Sequence, residues 1–337
     1  MVHLLTPQTQ WTETLTTRQG HLLQSWAWGE LKSRFGWLAR RIQVEGAIAQ
    51  VLFRRLPLGL SIAYVPKGPA VEWDDTVQVR TLLSAIRAEA KKQKAIFLKI
   101  EPDVLTTAPQ AETITDFLYN SGFVPSDTIQ PRTSKIIDIS PDEDDILAGM
   151  KQKTRYNIRL AQKKGITIRE GDLRDVAVFH EMSQITAGRD GFGIHDQDYY
   201  KTAFQLFAPE HCTLLLAEYK GDPLAALMVF QQDRIAYYFY GASNNHRRNL
   251  MPTYLLQWAA IEWARRHNCT QYDLWGIPDA DLATLEAEFQ QRSDGLWGVY
   301  RFKRGFGGEI VRSIGAFDYV YNLPLYQMYK MYRQLKV

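Results

Sequence analysis

Two stretches of this chain, 176 residues apart, follow one running order, and that order narrows the possible folds more than any other feature. In the first, residues 39–44 and 50–56 alternate like hairpin strands turning at Gly46, and residues 61–65 read as a third strand. Residues 74–93 then carry Val77, Leu82, Leu83, Ile86 and Ala90 at helical spacing, and the apolar run 95–100 closes on Glu101-Pro102-Asp103. In the second, a hairpin over 214–219 and 225–231 turns at Gly221-Asp222-Pro223. Strand 235–241, helix 251–267 and strand 271–275 follow, closed by Gly276-Ile277-Pro278-Asp279. The shift lays Pro102-Asp103 on Pro278-Asp279 and Ala88 on Ala264. Few identities accompany it, so what repeats is the plan rather than the residues. A chain of 337 residues has room for two such domains, each with its own core. The expectation is an α+β fold of two tandem domains with mixed central sheets flanked by helices. A short amphipathic helix over 21–37, a helix over 111–121 and a strand over 134–139 complete the first half.

Residues 151–165, KQKTRYNIRLAQKKG, fall where one half gives way to the other. Positions 151–164 hold six Lys or Arg and no acid. Lys151, Arg155, Arg159 and Lys163 recur at spacing four, which on a helix makes one basic stripe. Met150, Thr154, Ile158 and Ala161 recur on another face and suit a core. Ser140-Pro141-Asp142-Glu143 reads as the capping box that opens the helix, and Gly165 as its left-handed exit. Such a stripe is either a solvated helix face or a polyanion site. The net charge of the chain is only +3, so anion binding has to come from local patches of this kind.

Other classes are set aside by what the chain lacks. Cys212 and Cys269 form no CxxC pair and no metal-ligand spacing, and the seven His show neither HxxxH nor HExxH. No metal and no cofactor are expected, and a reducing compartment is. The start MVHLLTPQTQWTETL has no charged n-region followed by an apolar core, and no apolar run approaches the roughly 20 residues of a membrane span. A cytoplasmic protein is expected.

The stretch MKQKTRYNIRLAQKKG resembles the segment "MK.KTRYNIR.A.KKG" of the FemABX family of non-ribosomal peptidyltransferases. The resemblance implies two GCN5-related N-acyltransferase-like domains. Residues 1–145 would form the first, acceptor-binding domain, and 146–337 the second, with the basic helix 150–164 near the junction. Some family members carry a long antiparallel coiled-coil arm; no sustained heptads occur here, which fits the arm-less form. The implied reaction moves an amino acid from aminoacyl-tRNA to the stem-peptide amine of a peptidoglycan precursor. That acceptor is either the nucleotide-linked UDP-MurNAc-pentapeptide or lipid II. Aminoacyl-tRNA would be the donor, and the enzyme a monomer.

Aminolysis of an ester needs a neutral amine and a fixed partner for the negative charge that gathers on the carbonyl oxygen. The run GVYRFKRGFGG, 298–308, resembles the family's late "FK..FGG" element, which assigns Lys303 to that oxyanion, with Phe302 beside it. WAWGELKSR resembles an early "W..K" helix whose lysine meets phosphate, here Lys32 with Arg34 as its neighbour. In 186–200 the resemblance carries over Tyr199 as a substrate contact, and His195 or Arg189 stands where the family has an arginine. Tyr254, in a "P..LL.W" helix, is expected to line the substrate cavity. Asp103, with Glu101, ends a strand at the place of an acyltransferase cleft and is a candidate to take the amine's proton. Lys151, Arg155, Arg159 and Lys163 would track the tRNA backbone by charge and shape. Two other readings remain at this level. One is an acyl-CoA-dependent N-acyltransferase, although no RxxGxG follows Arg247 and Arg248. The other is a non-catalytic nucleic-acid-binding module. The tail 319–336 places Leu325, Met328, Tyr329, Tyr332 and Leu335 on one side of a helix, with Lys330, Arg333 and Lys336 along it. That helix packs on the body or meets a membrane surface at the periphery.

Overall fold

The computed structural model describes residues 2–3 and 7–334, so Leu335 and Lys336 of the tail lie outside the described residues. Contacts divide the chain into two units, residues 1–132 with 312–337, and residues 133–311. Each is built on a seven-stranded sheet. The first sheet runs Val2–His3, Trp37–Val44, Ala47–Arg55, Ser61–Val65, Ala95–Ile100, Ala316–Val320, Val124–Ser126. The second runs Ile166–Glu170, Cys212–Tyr219, Asp222–Gln232, Ile235–Ser243, Gln271–Gly276, Thr133–Asp138, Glu309–Arg312. In both, the fourth and fifth strands are parallel, and a helix makes the crossover that parallel pairing demands. The repeat at 176 residues is therefore a repeat of sheet position: Ala95–Ile100 and Gln271–Gly276 are the fifth strand of their sheets.

The division differs from the one expected at 145/146. Thr133–Asp138 is already a strand of the second sheet, its Asp138 opposite Gln271, while Phe317 near the chain's end pairs with Ile100 of the first. Strand pairing sets the boundary here, and the alternation of residues 134–139 does not say which sheet receives them.

Helix Thr76–Lys92 covers the first sheet. Asp75 caps it by accepting from the Gln78 amide at 3.0 Å, and Val79, Leu82, Leu83, Ile86 and Ala90 pack on Ile42, Val44, Val51, Ala63 and Leu98. Each fully buried Leu or Ile contributes roughly 1.5–3 kcal/mol. Val77 falls off this face and is exposed. In the second unit, helix Pro252–Arg266 starts with Pro252 and packs Leu255, Leu256, Trp258, Ile261 and Trp263 on Leu215, Leu227, Val229, Tyr272 and Leu274. The expected helix over 21–37 is shorter: a single turn Leu22–Gln24, then Trp26–Arg34 opened by Ser25, whose hydroxyl accepts from the Trp28 amide at 3.2 Å. Gln24 holds the bend, since its buried amide group donates to the Pro66 carbonyl and accepts from the Gln50 amide.

The basic segment is two helices rather than one. Asp142, not Ser140, caps Glu143–Gly149, the chain is extended at Met150, and Gln152–Lys163 follows with no side-chain cap at Lys151. The Ser140 hydroxyl is turned back onto Asp138. The break has a cause: the Lys151 amide leaves the helical ladder to donate to the Gly305 carbonyl at 2.9 Å.

Candidate active site

Lys303 ends helix Trp297–Lys303 and is buried at 4% exposure. Its ammonium donates to the Gly276 carbonyl at 2.8 Å and lies 5.7 Å from the ring centre of Tyr238. Gly276 ends the fifth strand of the second sheet. The parallel pairing of that strand with Ile235–Ser243 stops at Tyr237 and Asp273, so the ammonium sits where the two strands cease to be bonded to each other. Burial pulls its pKa down from 10.5 to about 7, and the nearby Asp273 charge opposes that fall only in part. Asp273 is itself buried and accepts from the Ser134 hydroxyl and, at 2.7 Å, from the Trp275 amide. A dehydrated ammonium with a fixed donor direction is what an oxyanion on a nearby ester carbonyl requires.

Phe302, the neighbour of Lys303, packs edge-on to Tyr254 at 5.2 Å and to Phe306 at 5.0 Å, and Tyr254 stacks on Phe306. The two motifs 150–165 and 302–308 meet around this aromatic group. Gly307 and Gly308 have φ of 80° and 77°, and a Cβ on either would run into the carbonyls of Gly149 and Ile136. Only glycine permits that approach. Glu286 ties the same corner together: it accepts from Arg304 and Tyr300 and pairs with Lys151 at 3.6 Å. The Arg304 guanidinium, helped by the Tyr300 hydroxyl and against a partial opposing effect of burial, holds its carboxyl down at about 2.

Of the expected basic stripe, Lys151, Arg159 and Lys163 are exposed. Arg155 is not free to act with them, because its guanidinium closes the helix break by donating to the Ala148 and Met150 carbonyls. The opposite face is as expected, with Met150, Thr154, Ile158 and Ala161 buried.

His195 and Tyr199 stack at 3.7 Å and 14°, and both rings stand perpendicular to Tyr240 of strand Ile235–Ser243. Asp196 fixes Tyr199 by accepting from its amide at 2.8 Å, and burial pushes the Tyr199 phenol up to about 12. Lys303 over Tyr238 and the His195–Tyr199 pair against Tyr240 thus address one strand. Arg189, the other candidate for the arginine position, is engaged by Asp190 at 2.8 Å and Asn245 at 3.1 Å.

Lys32, Arg34 and Asp103 belong to the first unit. Lys32 is half-buried with its ammonium 5.1 Å from the Trp28 ring, and burial first, then the Arg54 charge, lowers its pKa to about 8. Arg34 is exposed. Asp103 is exposed and pairs with Lys67 at 3.4 Å. Glu101, two residues earlier, is the buried carboxylate: it accepts from the Tyr64 hydroxyl and the Ile129 and Gln130 amides, and desolvation raises its pKa. Asp273, Glu286 and Tyr238 were not singled out by sequence. For Asp273 the only signal was an acid within the strand 271–275, for Tyr238 the tyrosine-rich run 237–240, and for Glu286 there was none.

A sequence model of the FemAB family matches residues 8–222 and 218–334. The chain belongs to the FemAB family. A lipid II:glycine glycyltransferase of Staphylococcus saprophyticus is 28% identical over 393 aligned positions, 92% of this chain and 90% of the relative. The protein of that name from Staphylococcus aureus strain USA300 is 28% identical over 398 positions, with the same coverage. Both alignments are longer than this chain, so the relatives carry inserted sequence that it lacks. The crystal structure of FemX superposes with a TM-score of 0.87 at 25% identity, over 97% of this chain and 99% of FemX. A tandem GNAT protein of clavulanic acid biosynthesis, at 13% identity and a TM-score of 0.56, shares the fold. This FemAB-family chain is an aminoacyltransferase with two acyltransferase-like units. Among its described residues no helix is long and apolar enough to cross a membrane, and no group of three His, Cys, Asp or Glu is placed to hold a metal.

Proposed function

We propose that this FemAB-family enzyme moves an amino acid from aminoacyl-tRNA to the stem-peptide amine of a lipid-linked peptidoglycan precursor. The buried ammonium of Lys303 on the Gly276 carbonyl carries the reading, and the glycyltransferases named for lipid II, related over nine-tenths of the chain, supply the acceptor class. The neutral acceptor amine attacks the ester carbonyl, forming the C–N bond. Lys303 faces the oxyanion as it develops, and collapse breaks the bond to the ribose oxygen. That oxygen gains one proton and the amine loses one. No enzyme nucleophile takes part. The Tyr238 ring, 5.7 Å from the ammonium, helps keep water from it. In this reading Tyr199 and His195 of the second unit meet the substrate, and Lys151, Arg159 and Lys163 meet the tRNA backbone; in the first unit Lys32 and Arg34 grip the acceptor's diphosphate, with Asp103 as a further acceptor contact.

The test is incubation of purified protein with a bulk pool of charged tRNA and, in parallel, nucleotide-linked and lipid-linked precursors, with the products weighed by mass spectrometry. A gain of one amino-acid residue on the lipid-linked precursor is expected. A gain confined to the nucleotide-linked one refutes the acceptor, and no gain, with coenzyme A bound instead, refutes the donor.

A further inference from the structure

The first unit carries an apolar surface that the transfer reaction leaves unused. Helix Leu323–Gln334 lays Tyr326 and Tyr329 on the sheet, their ring centres 5.2 and 5.3 Å from that of Phe97. The same helix leaves Leu323, Met328, Met331 and Tyr332 more than half exposed. Met328, Met331 and Tyr332 fall within about a quarter-turn or so of one another, a continuous outer face. A second element reinforces it. The turn Pro57–Gly59 lifts Leu58 to 93% exposure and holds it at φ 62°, a conformation that costs a branched side chain energy. Its neighbours Leu56 and Leu60 pack on the cluster of Ile62, Ile96, Phe97 and Tyr326, the same cluster that the helix covers through Leu325 and Tyr329. A strained leucine aimed at solvent beside a methionine-rich helix face marks an interaction surface.

Charge says what covers it. From residue 319 to 334 the chain has no acid, and Lys330 and Arg333 are its cations. Arg54 and Arg55 precede the leucine turn, and Arg55 is exposed. Lys330 and Arg333 stand at a cleft of about 360 Å³ walled by Ile62, Phe97, Tyr326 and Tyr329. Of the two acids lining that cleft, Asp318 is answered by Lys99 at 3.0 Å and by the Tyr326 hydroxyl at 2.8 Å, and Asp127 is exposed. Apolar side chains edged with cations match a bilayer whose headgroups are anionic.

We infer that Leu58 and the outer face of helix Leu323–Gln334 enter the interface of an anionic lipid bilayer, with Arg55, Lys330 and Arg333 on its phosphates. The inference deepens the reading of a lipid-linked acceptor, but vesicle binding needs neither donor nor acceptor, so each can fail alone.

The experiment is flotation of the full chain with phosphatidylcholine vesicles, with and without phosphatidylglycerol. The protein is expected to float with the anionic vesicles only, and less as salt rises. Leu58→Asp and Met331→Asp each lower the bound fraction at least about tenfold, and Lys330→Gln about fivefold. Leu282→Asp, at an exposed apolar site of the second unit, floats like wild type. Unfolding midpoints of the variants establish that they are folded. Wild type that does not float, or folded Leu58→Asp and Met331→Asp that float undiminished, overturns the inference. A wild-type dimer that Met331→Asp dissolves, without flotation, assigns the face to a second copy and overturns it as well.

Discussion

Removing the charge of Lys303 should make the protein more stable while it stops the reaction. The fall of its pKa from 10.5 to about 7 corresponds to a native-state penalty of about 5 kcal/mol for keeping the ammonium buried. The sign follows from proton binding. Between pH 7 and 10.5 the unfolded chain holds this proton and the native chain releases it. Stability therefore rises with pH across that window, and below pH 7 the whole penalty is present. Lys303→Met keeps the apolar stem, loses the 2.8 Å bond to the Gly276 carbonyl and leaves that oxygen without its donor. Those losses amount to about 3 kcal/mol. The variant should be about 2 kcal/mol more stable than wild type near pH 6, and about 1–2 kcal/mol less stable near pH 9.5. Urea midpoints followed by tryptophan fluorescence at the two pH values measure both differences. A variant less stable near pH 6, or a difference that does not change with pH, refutes the argument that burial and not the hydrogen bond dominates this site.

Turnover should fall as pH rises through about 7 with the loss of the Lys303 proton, and Lys303→Arg, which keeps its charge, should remove that limb from the pH–rate profile. Lys303→Ala should lose turnover by at least about a hundredfold with acceptor affinity nearly unchanged in a binding titration. Lys32→Ala should do the reverse, weakening acceptor binding about tenfold or more, as expected of a lost charge-assisted bond to phosphate. Gly308→Ala should destabilise the protein by about 1–3 kcal/mol, since its φ of 77° and the Ile136 carbonyl both oppose a Cβ; a thermal midpoint equal to wild type would contradict this. Neutralising Lys151, Arg159 and Lys163 together should lower the salt dependence of tRNA binding by about three in the log–log slope.

Much of the fold was legible because helix and strand periods were clean. Ala95–Ile100 was read with its own boundaries, and the helix read over 251–267 is Pro252–Arg266. What the pattern could not reveal was pairing between distant segments. The strand Ala316–Val320 runs straight into an aromatic tail, and only its ladder with Ile100 and Ser126 makes it a strand. The helix break at Met150 was invisible for the same reason: Lys151 leaves the helix for Gly305, 154 positions away. In the site, Lys303 was found through the motif around it, but the Gly276 carbonyl that holds it and the Asp273 charge behind it come from another strand. The stripe at spacing four placed Arg155 correctly on the helix and could not show that it is turned onto the Met150 carbonyl.

The sixth strand of the first sheet is drawn from residues 316–320, far beyond the strands it lies among. On a ribosome this orders events. The helix Thr76–Lys92 and its strands emerge early, yet the sheet beneath them waits, with Ala95–Ile100 unpaired on one side, until the whole of the other unit has been made. A chain broken off after residue 311 would damage the unit begun first and leave residues 133–311 of the other unit in place. The arrival of residues 316–320 is thereby written into the integrity of the first sheet, and a product cut short of them betrays itself by an open strand edge at Ala95–Ile100.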